Sequence, residues 1–129
     1  MNNYKPEGYI SLAPYLIVEN APALVEFVKK VFGGIVLQQN SKKAGYIKHV
    51  EVKLDDSLIM VSEATESYPA VKAMLHMYVP DLFVTYEKAL SNGGQGVIVP
   101  RPNDEYTNIR GAFLDCCGNY WAISQQINE

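Results

Sequence analysis

The chain lacks most of what would tie it to a membrane, a nucleic acid or an oxidising compartment. Its 129 residues include two cysteines, and these are adjacent, so neither can staple one part of a fold to another. The apolar runs fall far short of a membrane span. The opening MNNYKPEGYI has no apolar stretch of signal-peptide length and no small-residue cleavage site. No run of basic residues forms a stripe: Lys29-Lys30 and Lys42-Lys43 are too short, and the net charge is −3. Nucleic acid is therefore not an expected partner. With 48% hydrophobic and 19% charged residues, the composition predicts a packed cytoplasmic protein rather than a disordered one or a membrane protein.

What is present is a succession of strand-length runs bounded by Gly, Pro, Asn and Asp. They are Ile10–Val18, Ile35–Gln39, Tyr46–Leu54, Leu58–Ser62, Ala73–Val79, Val97–Val99, Ile109–Leu114 and Tyr120–Ser124. Two segments carry helical periodicity. In the first, Leu24, Phe27, Val28 and Val31 share a face, with Pro22 near the start and Gly33-Gly34 at the end. In the second, Phe83, Tyr86 and Leu90 are expected on one face, Asp81 as the N-cap and Gly93-Gly94 as the stop. The order is strand, helix, three strands, then the same again. Val18-Glu19-Asn20 leads into one helix and Val79-Pro80-Asp81 into the other. The sequence thus reads as an internal repeat of about 60 residues. Two βαβββ modules, at about 8–65 and 72–126, make one domain over 1–129 with residues 66–72 as linker.

A tandem βαβββ unit with V-x-N/D before each helix resembles the vicinal oxygen chelate superfamily, which includes glyoxalase I, bleomycin-resistance proteins and extradiol dioxygenases. PYLIVENAPALVEFVKKVFGG is similar to the opening strand and helix of that family, and RGAFLDCCGNYWAI to its closing hairpin. The resemblance implies an α+β fold in which each module curls its strands into half of an open cup, helices on the convex side. It also implies metal ligands on the first and last strands of each module in metal-dependent members. Those positions hold Ala13 and Met74 on the first strands, and Met60 and Ala122 on the last. A register slip of two would replace Met60 by Leu58 or Ser62. Alanine donates no lone pair and a thioether is a poor ligand for a hard ion, so no metal and no cofactor are expected at the family's site.

Strand parity then selects a concave wall. In Tyr46–Leu54, Val50, Val52 and Leu54 alternate with His49, Glu51 and Lys53, so His49 and Glu51 are expected to face the cup. His76 shares a face with Met74 and Tyr78. The expected ligand-binding set is Ala13, Tyr15, His49, Glu51, Met60, Met74, His76, Tyr78, Arg110, Phe113, Tyr120 and Ala122, and Ser11 and Ser124 fall on the same wall. His49, Glu51 and His76 could build a displaced metal site, or His49 and Glu51 a metal-free acid/base pair. Arg110 could anchor an anionic ligand or pair with Asp104, and RPNDEYTN (101–108) has the make-up of a lid. The expected function is metal-independent binding of a small aromatic or anionic molecule by a homodimer. Two alternatives are a metal-dependent lyase, isomerase or dioxygenase with displaced ligands, and an assembly module with a filled cup. Cys116-Cys117 falls in the turn before the last strand and is expected to hold two free thiols.

Overall fold

Asn20 stands at the entry of the first helix in a left-handed conformation, φ 73°, one of the few side chains that tolerates it. Its side chain accepts from the Ala23 amide, while the Glu63 carboxylate takes the amides of Asn20 and Ala21 at 2.8 Å each. The first amides of a helix have no carbonyl partner within the helix itself. Lys29 and Lys30 in the last turn complement the C-terminal dipole, and Gly33, at φ 71°, closes it with its amide on Lys29 and Val28. This helix, α1, spans Ala21–Phe32 and follows β1, Tyr15–Val18.

In the computed structural model, which describes residues 3–40, 49–103 and 107–127, the remaining elements follow in the expected order. They are β2 (Ile35–Asn40), β3 (His49–Leu54), β4 (Ser57–Glu63), β5 (Met74–Tyr78), α2 (Leu82–Ser91), β6 (Gln95–Asn103), β7 (Asn108–Leu114) and β8 (Tyr120–Gln126). Two four-stranded sheets result, ordered β1-β4-β3-β2 and β5-β8-β7-β6. In each, the first strand pairs parallel with the last and the other pairings are antiparallel. The repeat is thus a repeat of topology and of register.

The core lies between the sheets and the helices. Leu24, Val28 and Val31 of α1, Val50, Val52 and Val61 of the first sheet, and Trp121 and Ile123 of the second belong to one buried cluster. Phe32 joins the modules, with its ring 4.7 Å from Trp121 and 6.0 Å from Phe113.

Four expectations are corrected. The first strand begins at Tyr15, not Ile10; Pro14 has no N–H for the ladder, and pairing starts where its carbonyl accepts from the Met60 amide. The buried face of α2 is Leu82, Thr85, Tyr86 and Ala89, with Phe83 and Leu90 exposed. Capping at Asp81 starts the helix on Leu82, whose side chain lies over Gly111, while Tyr86 closes on Gly96. Phe113 lies on the convex side, fully buried against Phe27, and not on the concave wall. Its cross-strand neighbour is Trp121, so the two enter the core together. Of the expected lid, Arg101, Pro102 and Asn103 belong to β6, and residues 104–106 fall outside the described residues.

Candidate functional site

The concave face of the first sheet carries a continuous hydrogen-bonded chain. Glu51 lies opposite Met60, which lies opposite Tyr15, and the neighbouring row brings Ser62 beside His49. With a neutral imidazole, His49 Nε2 donates to Glu51 Oε2 at 3.0 Å, and Nδ1 accepts from the Tyr15 hydroxyl at 3.1 Å. The Ser62 hydroxyl in turn lies 2.7 Å from that of Tyr15. The other carboxylate oxygen of Glu51 accepts from the Tyr9 hydroxyl. Every bond can run toward Glu51, which is 9% exposed.

The hydrogen bonds from Tyr9 and then His49 hold the Glu51 carboxyl below its ordinary value, outweighing the desolvation that would raise it. Reciprocally, the same bond to Glu51 pushes the Tyr9 phenol up. Glu51 is therefore an anionic acceptor with donors on both oxygens.

The second sheet repeats the plan with different letters. His76 lies opposite Ala122, Ala122 opposite Ala112, and Tyr78, Ser124 and Arg110 form the next row. His76 Nε2 is 2.9 Å from the Ser124 hydroxyl, and the Tyr78 ring stands edge-on to the imidazole at 4.7 Å. By register Tyr15 corresponds to His76, Ser62 to Ser124, and His49 to Arg110. In each module, then, a serine on the last strand holds a ring from the first.

The structure brings Tyr15, His49, Glu51 and Met60 together on one concave face, and Met74, His76, Tyr78, Tyr120, Ala122 and Arg110 on the other. Ala13 precedes β1. His76 makes its bonds in its own sheet, apart from His49 and Glu51. Among the described residues no group of three or more His, Cys, Asp or Glu side chains is placed to hold a metal ion. At the family's ligand positions, Met60 and Ala122 line the two faces and Met74 is 76% exposed. Two thioethers and two alanines do not fit a hard divalent ion. Arg110 has no carboxylate partner among the described residues, and Asp104 lies outside them.

Of the residues hydrogen-bonded into the Glu51 chain, the sequence left Tyr9 unnamed and gave Ser62 only as the register-slip alternative to Met60. Ser62 was signalled by the repeat, since it corresponds to Ser124. Tyr9 had no such signal, because an irregular segment delivers it. A cleft of about 1140 Å³ lies elsewhere, at the junction of the modules. Of the expected site residues it includes Tyr78 alone, together with Phe32, Ile35, Lys53, Val84 and Gln125. On the concave faces Tyr15, Met74 and Tyr78 are exposed, while Glu51 and Ser62 are buried.

The Cys116-Cys117 turn is built by Asp115. Its carboxylate accepts from the Cys117 and Asn119 amides, the Asn119 side chain and Trp121 Nε1. The thiols are free and 3.9 Å apart, and Cys117 Sγ lies 3.3 Å from the Glu19 carbonyl. Burial pushes both thiols up, Cys117 to about 12, which disfavours the reactive thiolate.

No family model matches the sequence. A protein of Mycobacterium tuberculosis, itself uncharacterised, is 22% identical over 130 residues, which cover 92% of this chain and 76% of that one. Among solved structures, TioX from Micromonospora sp. ML1 aligns with a TM-score of 0.77 at 16% identity, over 90% of this chain and 98% of that one. A glyoxalase/bleomycin resistance protein/dioxygenase family enzyme from Burkholderia phytofirmans PsJN aligns at 0.70 with 15% identity, over 93% and 98%. The fosfomycin resistance protein FosX of Listeria monocytogenes aligns at 0.68 with 14% identity, over 90% and 92%. At these identities the likeness establishes a shared fold and leaves the activity open.

Proposed function

With the fold of the vicinal oxygen chelate superfamily as the frame, we propose that this chain is a metal-independent small-molecule-binding protein. Its ligand is small, aromatic or anionic, and is held on the concave faces of a homodimer. One observation carries the reading. The surface that holds a metal in other members here holds Ala and Met, and beside them Tyr15 and Tyr78 stand 51% and 66% exposed around hydrogen-bonded polar groups. Exposed aromatic rings with a few fixed polar points are the usual make-up of a small-molecule site. The helices draw the convex faces of both sheets into one core, so each concave face looks outward and a second copy would supply the opposing wall. Arg110 is the group placed to meet an anion.

Metal analysis of the purified protein and thermal shifts under added Ni, Zn, Mn and Fe test the first half. The expected outcome is no stoichiometric ion and no stabilisation. A bound ion lost in His49→Ala or His76→Ala would instead establish the metal-dependent lyase, isomerase or dioxygenase reading with displaced ligands. A thermal-shift library tests the second half, and should include antibiotics, since structural neighbours are resistance proteins by name. A ligand at a hundred times its Kd stabilises by about 2.7 kcal/mol, a shift of several degrees. If nothing in a broad library stabilises the protein, the cup is not a binding site and an assembly role takes its place.

A further inference from the structure

Residues 3–14 form an irregular segment ahead of β1, and few of its side chains are held. Tyr4 is 79% exposed and Leu12 87%, and Lys5 bonds to Ser11 at 3.0 Å and lies over the Tyr4 ring, both in the same segment. Gly8, at φ 85°, reverses the chain, and the Tyr9 amide closes the turn on the Pro6 carbonyl. Tyr9 is the exception: its hydroxyl reaches across 42 residues of sequence to Glu51, at the centre of the first concave face. A carboxylate so little exposed needs a donor on each oxygen. His49 supplies one from the sheet. The other comes from a segment with little apolar burial of its own, which is the kind of element that opens at low free-energy cost.

We propose that Tyr9 occupies a ligand subsite, that residues 3–12 are a displaceable strap, and that ligands of this face carry a phenolic hydroxyl which replaces that of Tyr9 on Glu51. The inference rests on the cup being a binding surface and adds the chemistry of what it binds. The subsite asks for a hydroxyl donor on a flat apolar body, since Tyr15 and Met60 flank Glu51. An ether or a bare hydrocarbon of the same shape would leave a Glu51 oxygen unpaired.

The probe is 4-methylphenol, which reproduces the tyrosine side chain, with 4-methylanisole as the analogue lacking the donor. Dissociation constants are measured by NMR titration on the intact chain and on Tyr9→Ala and Glu51→Gln variants. If the strap is closed nine-tenths of the time, the wild type pays about a tenfold penalty in apparent affinity. Tyr9→Ala is therefore expected to bind 4-methylphenol about tenfold more tightly than the wild type. It should prefer the phenol to the anisole, and Glu51→Gln should lose that preference. Chymotrypsin should cut after Tyr9 faster when the wild type is saturated with the phenol. Equal affinities in wild type and Tyr9→Ala would overturn the proposal, as would equal binding of phenol and anisole or no binding of either. Library compounds that bind the cup identically in wild type and Tyr9→Ala would sink the strap while leaving the proposed function standing.

Discussion

At the scale of single residues, Glu51 sets the character of the concave face. Its carboxyl is held below the ordinary value by Tyr9 first and His49 second. A carboxyl that is more acidic in the fold than in the open chain stabilises the fold wherever it is ionised in both. That contribution is complete above the ordinary carboxyl value of about 4.5, and it is lost as the pH falls through the lowered value of the folded state. Glu51→Gln cannot titrate, so the stability difference between wild type and variant should be largest near neutrality. It should shrink steadily as the pH drops below about 4.5. Paired thermal or urea unfolding curves across pH 3–7 check this, and a pH-independent difference would show that the donors do not prefer the ionised form. Asp115 plays a comparable part in the closing turn, where one carboxylate gathers four donors and fixes Trp121 in the core.

At the scale of elements, each helix is held at its start by its own cap residue and by a side chain from the last strand of its module. That side chain is Glu63 for α1 and, for α2, Gln125, which accepts from the Leu82 amide. α2 is capped by Asp81, whose side chain accepts from the Val84 amide. α1 is capped in part from outside, because Glu63 at the end of β4 takes two of its first amides. Removing that carboxylate leaves two donors without a charged acceptor at the positive end of the dipole. Glu63→Ala is expected to cost about 1–2 kcal/mol, visible as a fall of several degrees in Tm with the far-UV spectrum retained. A change within error would mean that the Asn20 side chain and water suffice. The sequence showed where the helices lie, since periodicity, Asn20, Asp81 and the Gly pairs are local signals, but it put Phe83 and Leu90 on the face of α2 that Leu82, Thr85 and Ala89 bury. It showed the parity of β3 equally well, because Val50, Val52 and Leu54 alternate with polar neighbours. It failed at β7, where Gly111, Ala112, Phe113 and Leu114 are apolar on both faces and carry no alternation. Only the pairing with β8 decides that Phe113 follows Trp121 inward. Tyr9 was illegible for a related reason: its role depends on where an irregular segment lands, which no local pattern encodes.

At the scale of the whole molecule, the chain leaves two things unfinished. Its half-cups face outward, and its sheets end on edge strands, β2 and β6, that carry exposed apolar side chains: Ile35 and Leu37 on one, Val97 and Val99 on the other. An exposed edge with apolar residues is a template for pairing unless something covers it. A second copy would cover both kinds of surface in one closed, two-fold arrangement. Sedimentation velocity at micromolar concentration should therefore give twice the 14.4 kDa of the chain. Charges placed on an edge, as in Leu37→Lys with Val99→Lys, should shift the protein toward the monomer. The far-UV spectrum should survive, because neither side chain belongs to the buried core. Ligand binding should fall with the dimer if the opposing wall comes from the partner. A monomer that binds ligands with undiminished affinity would confine the site to one concave face, and Tyr15, Glu51 and their neighbours would then have to act alone.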